Sequence, residues 1–331
     1  MSNMRAMVIR KYGGPEVFEE AEIPRPEAGE GQVRLKVTAT SFNPIESKIR
    51  VGIARLGPEF PAVLNSDVAG VIDQVGPGVT GFAEGDEVFA LSGGIQGSPG
   101  ALAEYTLVDA RLLARKPKAL SLAECAALPI GFITAWYALC RMTQIRAGQT
   151  VLVLGGTGGV GHVGVQLARG LGAEVYATVS SDEKAQVVRG LGACAAIDRR
   201  VDTPEQYVDT HTGGKGFDFV FDTAGGDSLD NAFAAARYEG QVATVNARAN
   251  HDLTPAHVRG LSLHLVMILR SMLLGTDLEH YGQILAEAAR LADEGRLRPL
   301  MDRRSFSVWE VAEAHRYAET GATIGKISLT V

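Results

Sequence analysis

The segment Gly156-Thr157-Gly158-Gly159-Val160-Gly161 has the residue types and spacing to hold a phosphorylated ligand. Gly156, Gly158 and Gly161 satisfy G-x-G-x-x-G, with a strand-like run at 150–154 before the turn and a helix-compatible run at 162–171 after it. In that setting the first glycine permits a tight turn. The second leaves room for a pyrophosphate, and the third lets helix and strand pack closely. The helix N-terminus then offers unpaired amides and partial positive charge to the phosphates. The chemistry predicted is dinucleotide binding; the alternative is a tight turn with no ligand. No Gly-Lys-Ser/Thr follows, so the turn is not a P-loop.

The next strand bears on which dinucleotide. An NAD site places Asp or Glu at the tip of the second strand, about 20 residues beyond the turn. Here residues 174–179 run into Ser180-Ser181, then Asp182-Glu183-Lys184. Hydroxyls and an ammonium suit a 2′-phosphate, which a carboxylate repels. Arg199, just after the third strand, could add charge there. The expected cofactor is NADPH. Asp182 keeps NADH open, and Ser181 as a helix cap beside a solvated Lys184 is the plainer alternative.

The elements that must position these residues follow a recognisable order. Residues 4–10, 32–41 and 69–75 read as strands punctuated by Gly and Pro. Ser121-Leu-Ala-Glu124 has capping-box spacing, and 134–142 reads as a helix. Strands at 150–154, 174–179, 195–198, 217–222 and 241–246 then alternate with helices at 159–171, 182–191 and 228–236. That alternation implies a parallel sheet with crossover helices. Helices at 278–294 and 307–319 and a strand at 326–331 close the chain. The expected class is α/β: a β-rich domain (1–124), a doubly wound parallel-sheet domain (125–266), and a return to the first (267–331).

Composition bounds the rest. With 331 residues, 46% apolar and 21% charged, the chain is globular rather than disordered. A net charge of −6 gives no footprint for nucleic acid. Cys125, Cys140 and Cys194 lack zinc-ligand spacing, and an odd count argues against a disulfide framework. The apolar stretch 261–274 is interrupted by His264 and Arg270 and is too short for a bilayer. The first residues lack the apolar core of a secretory signal. A soluble, cytoplasmic protein with no membrane partner is expected.

An ordered series of segments now adds to the glycine turn. It comprises 4–14, Ser41-Phe-Asn-Pro-Ile-Glu46, 61–70, 79–88, Gly100-Ala-Leu-Ala-Glu-Tyr105, Val220-Phe-Asp-Thr-Ala-Gly-Gly226 and Gly325-Lys-Ile-Ser-Leu329. Over nearly its whole length the chain resembles the zinc-free quinone oxidoreductase-like branch of the medium-chain dehydrogenase/reductase superfamily. The resemblance implies a GroES-like catalytic domain, a Rossmann domain and an active-site cleft between them. It implies NADPH as hydride donor to a small electrophile, a quinone or an electron-poor C=C bond. Ser180, Ser181 and Lys184 match the family's 2′-phosphate loop. Thr134 matches a position near the nicotinamide, Asn43 the asparagine lining the nicotinamide and substrate pocket, and Gly225 and Asn246 segments that pass the cofactor. A homodimer is implied, with 261–269 apolar enough to form its sheet edge; a buried last strand in a monomer explains the same residues.

The zinc-dependent relatives carry a catalytic Cys where this chain has Pro44-Ile45-Glu46, and Gly-His-Glu where it has Asn65-Ser66-Asp67. They also hold a structural zinc in a four-cysteine lobe, which this chain lacks. Tetrahedral zinc wants thiolate and imidazole, so no metal is expected, and Glu46 and Asp67 are expected to hold loops through backbone amides. The branch often supplies a tyrosine shortly after the Asn-Pro segment, and residues 47–55 contain none. Asn43, Lys48 or Arg50 could stabilise the developing oxyanion, or solvent could supply the proton; a solvated loop face is the plainer reading of Lys48 and Arg50. Two other functions stay open: reduction of enoyl thioesters, and dinucleotide binding with little turnover.

Overall fold

The computed structural model describes residues 2–331. It divides into two compact units, Met1–Ile133 with Leu269–Val331, and Thr134–Ile268. The chain passes from the first to the second within the helix Pro129–Trp136.

The second unit is built on six strands. In spatial order they are Ala195–Asp198, Glu174–Val179, Thr150–Leu154, Phe217–Asp222, Ala236–Thr244 and Ser262–Leu265. Every neighbouring pair is parallel. Numbered along the chain, the order is 3-2-1-4-5-6, that of a doubly wound dinucleotide fold. Val151, Leu152 and Val153 on the first strand, and Phe219, Val220 and Phe221 on the fourth, are fully buried. Such continuous apolar runs are what a sheet covered on both faces requires. The strand order reverses between these two strands, and their carboxyl ends open the crevice where ligands bind in such folds.

The first unit carries a seven-stranded sheet. The long strand Gln32–Ser41 is its hub, pairing antiparallel with Asp67–Val75, Tyr105–Asp109 and Ser328–Thr330. The last strand therefore lies in the first unit.

Local departures from the sequence reading have local causes. Helices Pro204–Thr212 and Thr254–Arg259 are not among those expected from the sequence. Their signals are a proline in the first turn and a left-handed glycine after the last, Gly213 (φ 58°) and Gly260 (φ 63°). The helix expected at 134–142 begins earlier, at Pro129, and widens to a π-helix over Tyr137–Met142. There the Thr143 amide and hydroxyl both donate to the Ala138 carbonyl five residues back, at 3.3 and 2.7 Å. The segment from Ser307 starts as a 3₁₀ turn, Val308–Glu310, before the α-helix Val311–Glu319.

Candidate active site

The glycine turn leaves the first strand of the parallel sheet and enters the helix Gly161–Gly170. The left-handed residue of this turn is Gly155 (φ 79°), one position before the glycine expected to make it. Gly156 is instead a packing position, where a Cβ would lie 2.7 Å from the Ala177 Cβ and 3.0 Å from the Val188 Cγ1. A Cβ on Gly161 would sit 2.1 Å from the Gly155 carbonyl oxygen, so this residue lets the helix start directly against the turn. Gly158 differs from both. A Cβ there would meet only the Gly155 oxygen, at 3.3 Å, and the rest of its surroundings are open. That open approach is the one a pyrophosphate needs.

Neighbouring groups hold the turn rigid. The Gly155 amide donates to the Thr178 hydroxyl (3.0 Å), and the Gly156 amide to the Thr178 carbonyl (3.1 Å). The Thr223 hydroxyl donates to the Leu154 carbonyl (2.6 Å). His162 is fully buried. Its amide lies 3.1 Å and its Nδ1 2.9 Å from the Gly158 carbonyl oxygen, which both fix.

Asp222, at the end of the fourth strand, organises the other wall of the crevice. Its buried carboxylate accepts the Gly225 amide (2.9 Å), the Ala224 amide (3.2 Å) and the Thr244 hydroxyl (2.7 Å). Gly225 is left-handed (φ 72°), and a Cβ on it would strike the Asn246 Cβ at 2.5 Å. Gly225 and Asn246 are thus close neighbours. Thr134 is buried in the helix Pro129–Trp136.

At the tip of the second strand, the Ser181 hydroxyl oxygen accepts the Lys184 amide (3.2 Å) and caps the helix Asp182–Gly190. The capping reading of Ser181 is therefore correct, yet the Ser181 O–H can still donate to an anion. Ser180 and Lys184 are half-buried and Arg199 is exposed. The neighbouring Arg200 is committed to Asp198, at 2.5 to 3.1 Å. A cavity of about 410 Å³ beside Ser181 is lined by Asp182, Gln186, Arg189, Asp198 and Asp202 among others.

The first unit contributes a different kind of site. Strand Gln32–Ser41 delivers Asn43 as the N-cap of helix Pro44–Arg50, with Pro44 in the first turn. The Glu46 carboxylate accepts the Asn43 amide N–H (2.6 Å) and the Ser66 amide (3.1 Å). Asp67 accepts four donors: the Ile130 amide (2.8 Å), the Ser41 hydroxyl (2.7 Å), the Asn43 Nδ2 (2.8 Å) and the Lys326 Nζ (2.9 Å). Both carboxylates thus bond to backbone amides, as their sequence context suggests. Asn43, Glu46, Asp67 and Lys326 are all buried. Burial pushes the Glu46 carboxyl up to about 7, against the Asn43 amide, which favours the charge; nearby Asp67 raises it further.

Asn65 is left-handed (φ 71°) and buried, with its Nδ2 donating to the Ser41 carbonyl (3.2 Å). A left-handed backbone explains why glycine or asparagine suits this position.

Arg50 corrects the reading of a solvated face. Its side chain is 1% exposed and ion-paired with Glu319. It lies about 10 Å further along the helix axis than Asn43, at a rise of about 1.5 Å per residue. The structure therefore does not bring Arg50 into the Asn43–Asp67 cluster. Beside it, His315 is enclosed by Phe18 and Phe42, with Nδ1 3.1 Å from the Ser47 hydroxyl. Burial, with Arg50 second, holds this imidazole down to about 3. Lys48, on the same helix, is half-buried.

Sequence reasoning did not single out Lys326 or Asp222. The signal for Lys326 was a charged residue just before the alternating terminal strand Ser328–Thr330.

Comparison with known proteins agrees with this architecture. Residues 29–118 match the alcohol dehydrogenase GroES-like domain, and residues 159–290 match the zinc-binding dehydrogenase family. The chain is 35% identical to the chloroplastic NADPH-dependent alkenal/one oxidoreductase of Arabidopsis thaliana, over 98% of this chain and 78% of that one. It is 30% identical to the quinone oxidoreductase of Pongo abelii, over 94% of this chain and 93% of the relative. A crystal structure of an alcohol dehydrogenase superfamily protein from Novosphingobium aromaticivorans superposes with a TM-score of 0.94, at 40% identity and covering 99% of both chains.

These families bring a dinucleotide and, in part, zinc. The glycine cradle fits the dinucleotide, since Gly156 and Gly161 let the turn pack against the sheet and the helix start, and Gly158 leaves its approach open. The residues at 43–46 and 65–67 do not fit zinc. They offer neither thiolate nor imidazole, and both carboxylates are bonded to amides, with an ammonium 2.9 Å from Asp67. Among the described residues no group of three or more His, Cys, Asp or Glu could hold a metal ion.

Proposed function

We propose that this chain, which belongs to the quinone oxidoreductase-like branch of the medium-chain dehydrogenase/reductase superfamily, reduces a quinone or an activated C=C bond with NADPH as hydride donor. The observation that carries this reading is the glycine cradle at the point where the sheet order reverses.

The residues then have separable tasks. Amides at the start of helix Gly161–Gly170 receive the pyrophosphate, and Gly158 leaves it room. Ser180, Ser181, Lys184 and Arg199 receive the 2′-phosphate. Thr134, Gly225 and Asn246 border the rest of the cofactor. Asn43 shapes the substrate end, and Lys48 is a candidate donor to the substrate oxygen. The reaction builds negative charge on that oxygen, which a preorganised donor or proton source must meet. No step uses a metal ion.

A spectrophotometric screen tests the function. Loss of NADPH absorbance is expected with benzoquinone or an enone. Loss with crotonyl-CoA alone would move the substrate class to enoyl thioesters, and tight binding without oxidation by any acceptor would leave only a dinucleotide-binding protein.

The 2′-phosphate assignment gives a sharper test. Replacing Lys184 with alanine removes a charge-assisted hydrogen bond, worth about 1.5–3 kcal/mol. The KM for NADPH should rise about 10- to 100-fold while that for NADH stays put. Equal changes for both cofactors would rule the assignment out.

We also propose a cytoplasmic homodimer. No helix among the described residues is long and apolar enough to cross a membrane. The strand Ser262–Leu265 ends the parallel sheet with its side chains largely exposed, Leu265 at 56%. It is not the buried last strand of a monomer. An exposed apolar edge is a liability that pairing with a second copy across a two-fold axis removes. Leu265→Lys should convert the dimer to a monomer in light scattering; an unchanged mass would exclude this edge as the interface.

A further inference from the structure

The cation of the first unit's buried cluster is a lysine delivered from the far end of the chain. Gly325 (φ 77°) lets the backbone run against Leu300, where a Cβ would meet the Leu300 oxygen at 2.0 Å. The Lys326 amide donates to the Leu300 carbonyl (2.8 Å), and its carbonyl accepts the Asp302 amide (2.9 Å). Pinned on both sides, Lys326 sends its side chain inward and is 3% exposed. Its ammonium donates to the Asn43 Oδ1 (2.6 Å) and the Asp67 Oδ2 (2.9 Å).

Burying an ammonium costs several kcal/mol, and a well-packed apolar pair is often at least as stable. Stability alone is therefore a weak reason for this arrangement. Its geometric effect on Asn43 is specific. The Asn43 Nδ2 donates to Asp67 (2.8 Å) and Glu46 (3.2 Å), while Oδ1 takes the ammonium. Flipping the amide would set its NH₂ against an ammonium and its oxygen against two carboxylates. Without Lys326, Oδ1 loses its charged donor at 2.6 Å.

We propose that Lys326 is a positioning residue, its buried ammonium fixing the Asn43 amide for substrate reduction. The rate readout rests on the function proposed above; the geometric readout does not.

The test uses Lys326→Met and the charge-neutral double variant Lys326→Met/Asp67→Asn, which keeps the fold accessible if the single variant unfolds. Enone-dependent turnover should fall about 10- to 100-fold, as when a supporting residue behind a site is lost. The KM for NADPH should change by less than about 2-fold, a loss of rate without loss of uniform binding. The double variant should melt above the single one, since no carboxylate at position 67 is left without its cation, and should not regain turnover, which a purely structural role would restore in step. Crystal structures of whichever variants fold should show the Asn43 amide rotated. A folded variant with wild-type turnover, or with the Asn43 amide unmoved, overturns the proposal. A wild-type protein inactive with every acceptor would sink the functional reading instead, and the position of the Asn43 amide would then decide on Lys326.

Discussion

Gly161→Ala should abolish useful NADPH binding while leaving most of the fold in place. The added Cβ would lie 2.1 Å from the Gly155 oxygen and 2.9 Å from its carbonyl carbon. Both are backbone atoms, so no side chain can swing away. Either the turn or the start of helix Gly161–Gly170 must shift. The phosphate-facing amides shift with it, and a misplacement of about 1 Å at such a site can cost about 100-fold. A rise in the KM for NADPH of that order is expected, with the dissociation constant from nucleotide fluorescence rising alike. Gly158→Ala is the comparison. Its Cβ has room within the protein, so the melting temperature should hold while NADPH affinity falls, because the methyl stands on the ligand side. If Gly161→Ala bound NADPH like the wild type, the turn would not be the pyrophosphate site.

Glu46 should make the protein less stable as the medium turns alkaline. Its carboxyl titrates near 7 in the fold against an ordinary 4.5, because burial penalises the charge. The folded state then holds the proton more tightly than the unfolded chain. The stabilisation is complete below 4.5 and is lost as pH rises through 7. A shift of 7 − 4.5 = 2.5 corresponds to about 3 kcal/mol at about 1.4 kcal/mol per pH unit. Groups facing the carboxyl are the Asn43 and Ser66 amides, Asp67 and Lys326. Glu46→Gln keeps a neutral group of the same shape and cannot ionise. Urea denaturation should show the variant gaining about 3 kcal/mol on the wild type between pH 4.5 and pH 8. A difference that stays constant with pH would mean that Glu46 does not carry the proton.

The parallel-sheet unit was legible because its signals are local. The run at 150–154, the glycine spacing and the short alternation of strand and helix each lie within about 30 residues, the size of one βαβ unit. A capping residue was equally readable: Ser121 caps as its spacing suggests. The turn residue was misplaced by one, since glycine spacing does not say which of Gly155 and Gly156 must be left-handed and which must fit beneath Val188. The helices after Thr203 and Leu253 were missed because their signals are only a proline at the start and a glycine after the end.

The cluster in the first unit shows where such reading stops. Asn43, Glu46 and Asp67 could be named from their segments, and their amide contacts anticipated. Lys326 could not be assigned to them, because it bonds Asn43 across 283 residues and Asp67 across 259. Arg50 is similar: a basic residue in the last turn of a helix looks solvated until Glu319, 269 residues away, pairs with it. By itself the sequence determined the fold class, the dinucleotide cradle and the absence of thiolate and imidazole at the zinc-ligand positions, all properties of residue type at short range. Only the tertiary structure decided which cation balances the buried carboxylates and which way the Asn43 amide faces. Those depend on strand pairing that brings the chain's end beside Ser41, and no periodicity along the sequence encodes that meeting.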